Sequence, residues 1–259
     1  MTWTLLALPA WGMVLILLGG RSISAADEAS ASSGGYKVIE DFTNARLDSL
    51  PREWTWRSKD DDKPKLYAVK KAAGRRYLAA QDSGSSVVIL KEIEWDPRAY
   101  PIMSWCWRVN ALPPGGDERY TETNDSAAGI YIFFSKNILG IPRLIKYLWS
   151  TTLPVGTIDR REGIARPWFV VLKSGEEKMG RWVQEQVDLQ TDHQRILDRD
   201  LPKNTLGIGI LTDANSTHTY AAADYADFRL WPRSALKQGP IPNHCSCLEK
   251  TVGQPAPSQ

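Results

Sequence analysis

The 259-residue sequence predicts an all-β chain, folded as an antiparallel two-sheet β-sandwich with one or two short helices. Apolar and polar residues alternate with period two, and the alternating runs are rich in Val, Ile, Trp, Tyr and Phe. Clusters of Gly, Pro, Asn and Asp separate the runs at short intervals. Strands with so little helix between them fit antiparallel sheets, because parallel strands need long crossover connections that are usually helical.

In chain order, the first predicted strand is Tyr36–Thr43, where Val38 and Phe42 alternate with charge. Val87–Glu92 follows the turn-forming Asp82-Ser83-Gly84-Ser85-Ser86 and opens on β-branched residues. Ile102–Val109 carries Trp105 and Trp107 on one face and Ser104, Cys106 and Arg108 on the other. Pro113-Pro114-Gly115-Gly116-Asp117 cannot continue a ladder and closes it. Ile130–Ser135, Pro167–Leu172 and Trp182–Leu189 are the next runs. A short helix is predicted near Thr191–Asp198, with Thr191 as N-cap and Asp192 in the first turn, where an acid favours the helix dipole. Leu206–Thr212 and Tyr225–Trp231 complete the set. Beyond them Pro240, Pro242, Pro255 and Pro257 mark residues 233–259 as an extended or disordered tail. No repeat of 20–50 residues is visible, which removes solenoids and propellers.

The N-terminus has a different character. Trp3–Gly20 is uncharged and mostly apolar, and Ser24-Ala25-Ala26 supplies small residues at the −3 and −1 positions of a signal-peptidase site. The expected organisation is a signal peptide over 1–26, a linker over 27–35 and one sandwich domain over 36–232. Export to the periplasm or the extracellular space follows, with membrane attachment only if the apolar run is retained as an anchor. Net charge is +2, with 42% hydrophobic and 24% charged residues, which is ordinary for a globular protein. That balance gives no support for nucleic-acid binding, which needs clustered excess cations. The one basic stretch, Arg52–Arg76, is interrupted by Asp60, Asp61 and Asp62 and reads as a solvated face.

The chain holds 11 Trp and 9 Tyr against 5 Phe. Trp and Tyr have a polar tip as well as a flat apolar face, so their excess points to faces presented at a groove, as sugar stacking requires. Tyr131, Tyr147 and Trp149 are the candidate platform, with Asp125 at its lip and Asp213 nearby. Either the Tyr147–Trp149 pair or the Trp105–Trp107 pair must instead fill the core, the latter being the better candidate. Cys106, Cys245 and Cys247 cannot all pair within one chain; either one stays free or the tail cysteines pair outside the domain. His244-Cys245-Ser246-Cys247 offers three metal ligands without a fourth.

Several segments resemble the bacterial domain-of-unknown-function 3047 family. They are Pro101–Val109, Asn124–Tyr131, Ile145–Ser150, Gly180–Glu185 with Asp192, and Leu211–Thr217 followed by Ala223–Phe228. They occur in the family's order, although Asn124 stands where the family tends to carry the first of two acids. Val38-Ile39-Glu40-Asp41-Phe42, Asp82–Ser86 and Tyr225–Leu230 are similar to the ends of galactose-binding-like jelly rolls, including carbohydrate-binding modules. That likeness implies a jelly-roll-like sandwich and a structural Ca²⁺ held by Glu40, Asp41 and Asp227, whose oxygens are the hard ligands calcium takes. Apart from that ion no cofactor is expected.

These readings converge on an exported β-sandwich that binds a glycan or envelope polysaccharide through an aromatic face. Whether it is an enzyme stays open. Glycoside hydrolysis requires two carboxylates flanking the scissile oxygen; Glu122, Asp125, Glu185 and Asp213 are the candidates, with Asp125 and Glu185 as acid and base. A third reading is an envelope scaffold that docks a protein. No G-x-S-x-G elbow is present, and His193, His218 and His244 show no evident Ser or Asp partners. P-loop and G-x-G-x-x-G patterns are absent. Asp213-x-Asn215-x-Thr217 has the start of a calcium loop, but His218 stands where the turn wants Gly, and an Asx-stabilised turn is expected there.

Overall fold

The computed structural model describes residues 35–56, 66–161 and 166–249. The apolar N-terminal run, the 27–34 part of the linker and Asp60–Asp62 lie outside those residues. No helix among the described residues is long and apolar enough to cross a membrane. Two sheets face each other. The first has the order β11(Val183–Asp188)-β6(Ile102–Ala111)-β13(Ala221–Trp231)-β4(Arg75–Asp82)-β3(Tyr67–Ala72), with β1(Lys37–Glu40) continuing beside β13. The second runs β2(Trp54–Trp56)-β5(Ile89–Glu92)-β12(Gly207–Leu211)-β7(Ala128–Lys136)-β8(Pro142–Ser150)-β10(Trp168–Ser174)-β9(Ile158–Arg160). All pairs are antiparallel except β8 with β10. This is the predicted fold class, and the eight predicted strands each coincide with one of these.

Period-two alternation decides which side chains fill the sandwich. On β7 the inward residues are Ala128, Ile130, Ile132 and Phe134, and on β8 they are Ile145, Tyr147 and Trp149. Opposite them β6 sends in Trp105 and Trp107. Trp105 packs 6.0 Å from Tyr147 and Trp107 5.9 Å from Trp149, centroid to centroid. Both aromatic pairs are therefore core, one from each sheet. The expected choice between them does not arise, because two facing sheets need filler from both sides.

Two departures from regular pairing shape the surface. β13 carries a bulge between Ala226 and Arg229, with Asp227 at φ 55°. The extra residue puts Ala226 and Asp227 both on the outer face while Tyr225 and Phe228 stay inside. Residues 233–249 are not the extended or disordered tail expected of them: α2(Arg233–Leu236) and α3(Ser246–Glu249) form, and the segment docks on the outer face of the first sheet. Ile241 packs with Ile102 and Trp231, and Cys245 is disulfide-bonded to Cys106. A cysteine pointing out of β6 supplies the partner that Pro content does not reveal. The predicted helix exists as α1(Leu189–Asp192) followed by a π-turn over His193–Leu197. Its N-cap is Asp188, whose carboxylate accepts from the Thr191 N–H, not Thr191 itself.

Candidate functional site

Residues that alternate with the core positions of β7 and β8 form the outer face of the second sheet. Gly129, Tyr131 and Phe133 come from β7, and Leu144, Lys146, Leu148 and Ser150 from β8. Two apolar patches flank the centre, Val88 with Tyr131 and Leu211 on one side, Leu148 with Leu153, Phe169 and Val171 on the other. Between them lies Lys146, only 4% exposed. Its stem occupies the space a side chain on Gly129 would take, since a Cβ there would lie 2.7 Å from Lys146 Cε. Its ammonium donates to Ser126 Oγ at 2.6 Å and sits 5.6 Å from the Tyr131 ring centroid.

Acids surround this cation. The loop from β6 to β7 carries Glu118, 1% exposed, whose Oε2 accepts from the Ser150 hydroxyl at 2.7 Å. That loop is held down by Thr151, which donates to the Pro113 carbonyl, and Thr152, which donates to that of Gly116. Gly116 is required there, because a Cβ would meet the Asp125 carbonyl at 2.8 Å. Burial pushes the Glu118 carboxyl up to about 7, against the pull of Lys146 and the Ser150 hydroxyl. Asp213, just past β12 and 2% exposed, is raised to about 6 by burial, opposed by Lys146 and reinforced by the Asp125 carboxylate. Arg161 stands within electrostatic reach of Tyr131 and Asp213. Asn124, with its amide turned to satisfy both ends, donates to the Glu118 carbonyl at 3.3 Å and accepts from Arg161 at 3.1 Å.

Three atoms of this group, Glu118 Oε1, Asp213 Oδ1 and Arg161 Nε, are buried without a hydrogen-bond partner. An unpaired buried polar atom is destabilising by about 1–3 kcal/mol, so native folds retain few. Two unpaired acid oxygens within reach of one buried lysine, with an unpaired guanidinium nitrogen within reach of one of those acids, make an arrangement suited to a polar ligand. Beside it Tyr131 and Phe133 stack with centroids 6.2 Å apart and planes at 22°.

The predicted site residues divide around this centre. Tyr131 and Asp213 belong to it, although Tyr131 is 9% exposed and buried, not the open stacking face expected of it. Tyr147 and Trp149 are fully buried, and the expectation that they form an exposed platform fails because odd-numbered residues of β8 face the core. The Tyr147 hydroxyl donates to Asp192 and the Trp149 indole to the Gly175 carbonyl. Asp125 is also fully buried. Its carboxylate accepts from Ser216 N, Thr217 N and the Thr217 hydroxyl at 2.6–3.1 Å, so the Asp213–Thr217 turn is held by a distant acid and not by the local Asx bonds expected there. Glu185 is on β11 of the first sheet, taking the Trp107 indole N–H at 3.1 Å and Lys173 Nζ at 2.9 Å, and burial raises its carboxyl. Asp125 and Glu185 share no partner: both oxygens of Asp125 are taken by Ser216 and Thr217, while Glu185 is bound to Trp107 and Lys173, so the structure does not bring them together as the expected acid–base pair.

The three acids offered for calcium are engaged separately. Glu40 accepts from Phe42 N, the Trp54 indole and Lys91, and Asp41 caps Thr43 N. Asp227 pairs with Arg229, Arg75 and His244. Nitrogen donors take both oxygens of Glu40 and of Asp227 and Oδ1 of Asp41, and the three do not gather into a common oxygen cage. His244 also corrects the expectation that the histidines lack partners. Its Nε2 lies 3.0 Å from Ser104 Oγ and its Nδ1 3.1 Å from Asp227 Oδ2. The indole of Trp231 can only donate, so Ser104 Oγ accepts it at 2.8 Å and turns its own hydrogen to His244 Nε2. The order of atoms is that of a nucleophile, base and acid, but Ser104 is fully buried under the docked C-terminal segment, and its role here is to fasten that segment.

Glu118, Lys146 and Arg161 were not among the sequence candidates. Lys146 carried a signal, a lone charge inside the apolar run Ile145–Trp149, of the kind a strand buried on both faces admits only beside a partner. Glu118 and Arg161 sit in loops, and spacing gives no access to them.

The sequence profile of a family described as protein of unknown function (DUF3047) matches residues 52–229. No curated relative matches the chain. Among solved structures, the xyloglucanase domain of a type three effector from Sinorhizobium fredii in complex with cellobiose aligns at TM-score 0.40 and 11% identity, covering 73% of this chain and 99% of that one. A family 30 carbohydrate-binding module of a Clostridium thermocellum cellulase aligns at TM-score 0.41 and 8% identity, over 76% and 98%. A family 11 module from the same organism gives 0.39 and 11%, over 78% and 96%. Such loose likenesses say nothing of this chain's ligand.

Proposed function

The chain belongs to the DUF3047 family of proteins of unknown function, and we propose that it is an exported glycan-binding β-sandwich whose ligand lies on the outer face of the second sheet. The reading rests on one observation: the unpartnered buried oxygens of Glu118 and Asp213 both lie within electrostatic reach of Lys146, and the unpartnered Arg161 Nε belongs to a side chain within reach of Asp213 and of Tyr131, which stacks with Phe133. A sugar ring presents hydroxyls that both donate and accept, and an apolar face of C–H groups that packs on an aromatic ring. Its hydroxyls suit the two acceptors and one donor left over here, and Tyr131 and Phe133 suit its apolar face. The apolar N-terminal run and a disulfide, which persists in oxidising compartments, support export.

Calorimetric titration of the purified chain against soluble polysaccharides and oligosaccharides tests this. Saturable binding that weakens at least tenfold in Tyr131→Ala, with the circular dichroism of the sheets intact, is the expected result. Affinity for the bound sugar that is unchanged in both Tyr131→Ala and Glu118→Gln overturns the site. A flat response to the whole panel turns the reading toward a protein-docking scaffold.

The raised proton affinities of Glu118 and Asp213 favour a second reading, glycan cleavage. A carboxyl that is still protonated near neutrality is what a general acid requires. Product release that disappears in Glu118→Gln while binding persists is the sign of it, and an intact glycan after prolonged incubation with the wild-type chain removes it.

A further inference from the structure

The segment 241–249 brings His244 and Cys245 against Cys106 of β6. Cys106 Sγ lies 3.5 Å from His244 Nδ1, and the ligand atoms of Cys106, His244 and Cys245 all fall within 4.8 Å of one another. A tetrahedral zinc with Zn–S of about 2.3 Å and Zn–N of about 2.0–2.1 Å places sulfur and nitrogen ligands about 3.6 Å apart, close to the separation seen. The third cysteine, Cys247, is free and half-buried, and its thiol donates to the His244 carbonyl at 2.9 Å. The strand cysteine is thus the fourth ligand that the His244-Cys245-Ser246-Cys247 motif lacks by itself.

We propose that when the Cys106–Cys245 disulfide is reduced, Cys106, His244, Cys245 and Cys247 bind one Zn²⁺, which replaces the disulfide as the staple between the C-terminal segment and the first sheet. Thiolate and imidazole are the donors zinc selects in closed structural sites. Metal on Nδ1 requires the ring proton on Nε2, where Ser104 Oγ stands 3.0 Å away as its acceptor. That hydrogen bond fixes the ring, as the outer-shell partners of metal-bound histidines do. Asp227, released by Nδ1, keeps Arg229 and Arg75 as partners. Cys247, half-buried where the other three are buried, gives the ion its way in. Disulfide and metal exclude each other, since both use the sulfurs of Cys106 and Cys245.

The full chain is reduced under argon with a water-soluble phosphine. Phosphorus gives two electrons to the S–S bond and takes the oxygen of one water, whose two protons complete the two thiols. Titration with Co²⁺ should then show one equivalent bound, with thiolate-to-cobalt charge transfer and the strong visible bands of a tetrahedral ion. Zn²⁺ should displace it and raise the melting temperature of the reduced chain, while the oxidised chain takes up no metal. Affinity should fall at least tenfold in Cys247→Ser, and the signal should vanish in Cys106→Ser. His244→Ala serves as a second probe if the Cys106 variant does not fold. The proposal is overturned if the reduced chain keeps its sheet dichroism yet binds no stoichiometric Co²⁺, or if Cys106→Ser or His244→Ala binds as tightly as wild type.

Discussion

Glu118→Gln tests whether the outer-face cluster is as closed as its geometry implies. The substitution keeps the shape and the Ser150 hydrogen bond and removes the ionisable proton. Glu118 ordinarily titrates at 4.5 and is raised to about 7, chiefly by burial. Below pH 4.5 the carboxyl is neutral in both folded and unfolded chains, and the stability it allows is fully present. As pH rises the unfolded chain ionises first, so stability drains away until the folded carboxyl ionises too, near pH 7, and then levels off. At about 1.4 kcal/mol per pKa unit the loss comes to about 3 kcal/mol. Gln titrates nowhere, so the variant escapes it. Urea unfolding of wild type and Glu118→Gln at pH 4.5 and pH 8 measures the difference directly, because Asp213 and every other group titrate in both proteins. The stability gap should move by about 3 kcal/mol in favour of Gln across that interval. A gap constant to within about 0.5 kcal/mol would show that Glu118 ionises as it does in water, and the idea of a desolvated acid at this site would fall.

Two further substitutions separate core from site. Trp149→Ala should destabilise the fold by about 3–5 kcal/mol, the range for deleting a large buried aromatic, read as a lower melting temperature by calorimetry; a change under about 1 kcal/mol would contradict its place between the sheets. Asp125→Ala removes the acceptor for Ser216 N, Thr217 N and the Thr217 hydroxyl. It should cost about 1–3 kcal/mol and speed hydrogen exchange at those two amides, and unchanged exchange there would deny Asp125 its turn-holding part.

Strand positions were legible where alternation was strong and lost where it was not. β12 carries Ile208 and Ile210, β7 Ile130, Ile132 and Phe134, and β6 Trp105, Trp107 and Val109 at every second place, and β13 is marked by Tyr225, Phe228 and Trp231. β3 and β4 escape because their inward Tyr67, Val69, Leu78 and Ala80 alternate only with Ala68 and Ala79 and run into Lys70-Lys71 and Arg75-Arg76, and because their hairpin turns through Ala73 and Gly74 at positive φ instead of the Asn-Gly that advertises such a turn. β8 opens on Pro142, which is tolerated as the first residue of a strand but breaks the pattern. The site was harder. Alternation says that Tyr147 and Trp149 share a face; it does not say which face is inside. That depends on the register with β7, where Tyr147 pairs with Ile130 and Trp149 with Ala128, both core residues. The chemistry of Glu118 comes from a loop crossing between sheets, and that crossing is set by tertiary packing.

The two outer faces differ in a way that assigns them different tasks. On the first sheet Ser104, Cys106, Asp227 and Arg229 all find partners, several of them within residues 241–249, and the face is closed by the chain itself. On the second sheet the β6–β7 loop lies over the centre of the outer face, yet beneath it are a lysine 4% exposed and acids with unsatisfied oxygens. A sheet that needed only stability would place apolar or fully solvated residues there, because unpaired buried charge is destabilising and is kept only where something compensates for it. The same economy explains Gly129, which gives up a side chain to let Lys146 lie flat. Ligand binding therefore falls to the second sheet and stapling to the first. They lie on opposite faces, so Tyr131→Ala should leave cobalt uptake by the reduced chain unchanged, and Cys247→Ser should leave glycan affinity unchanged. Coupling between them would mean that the two faces act as one.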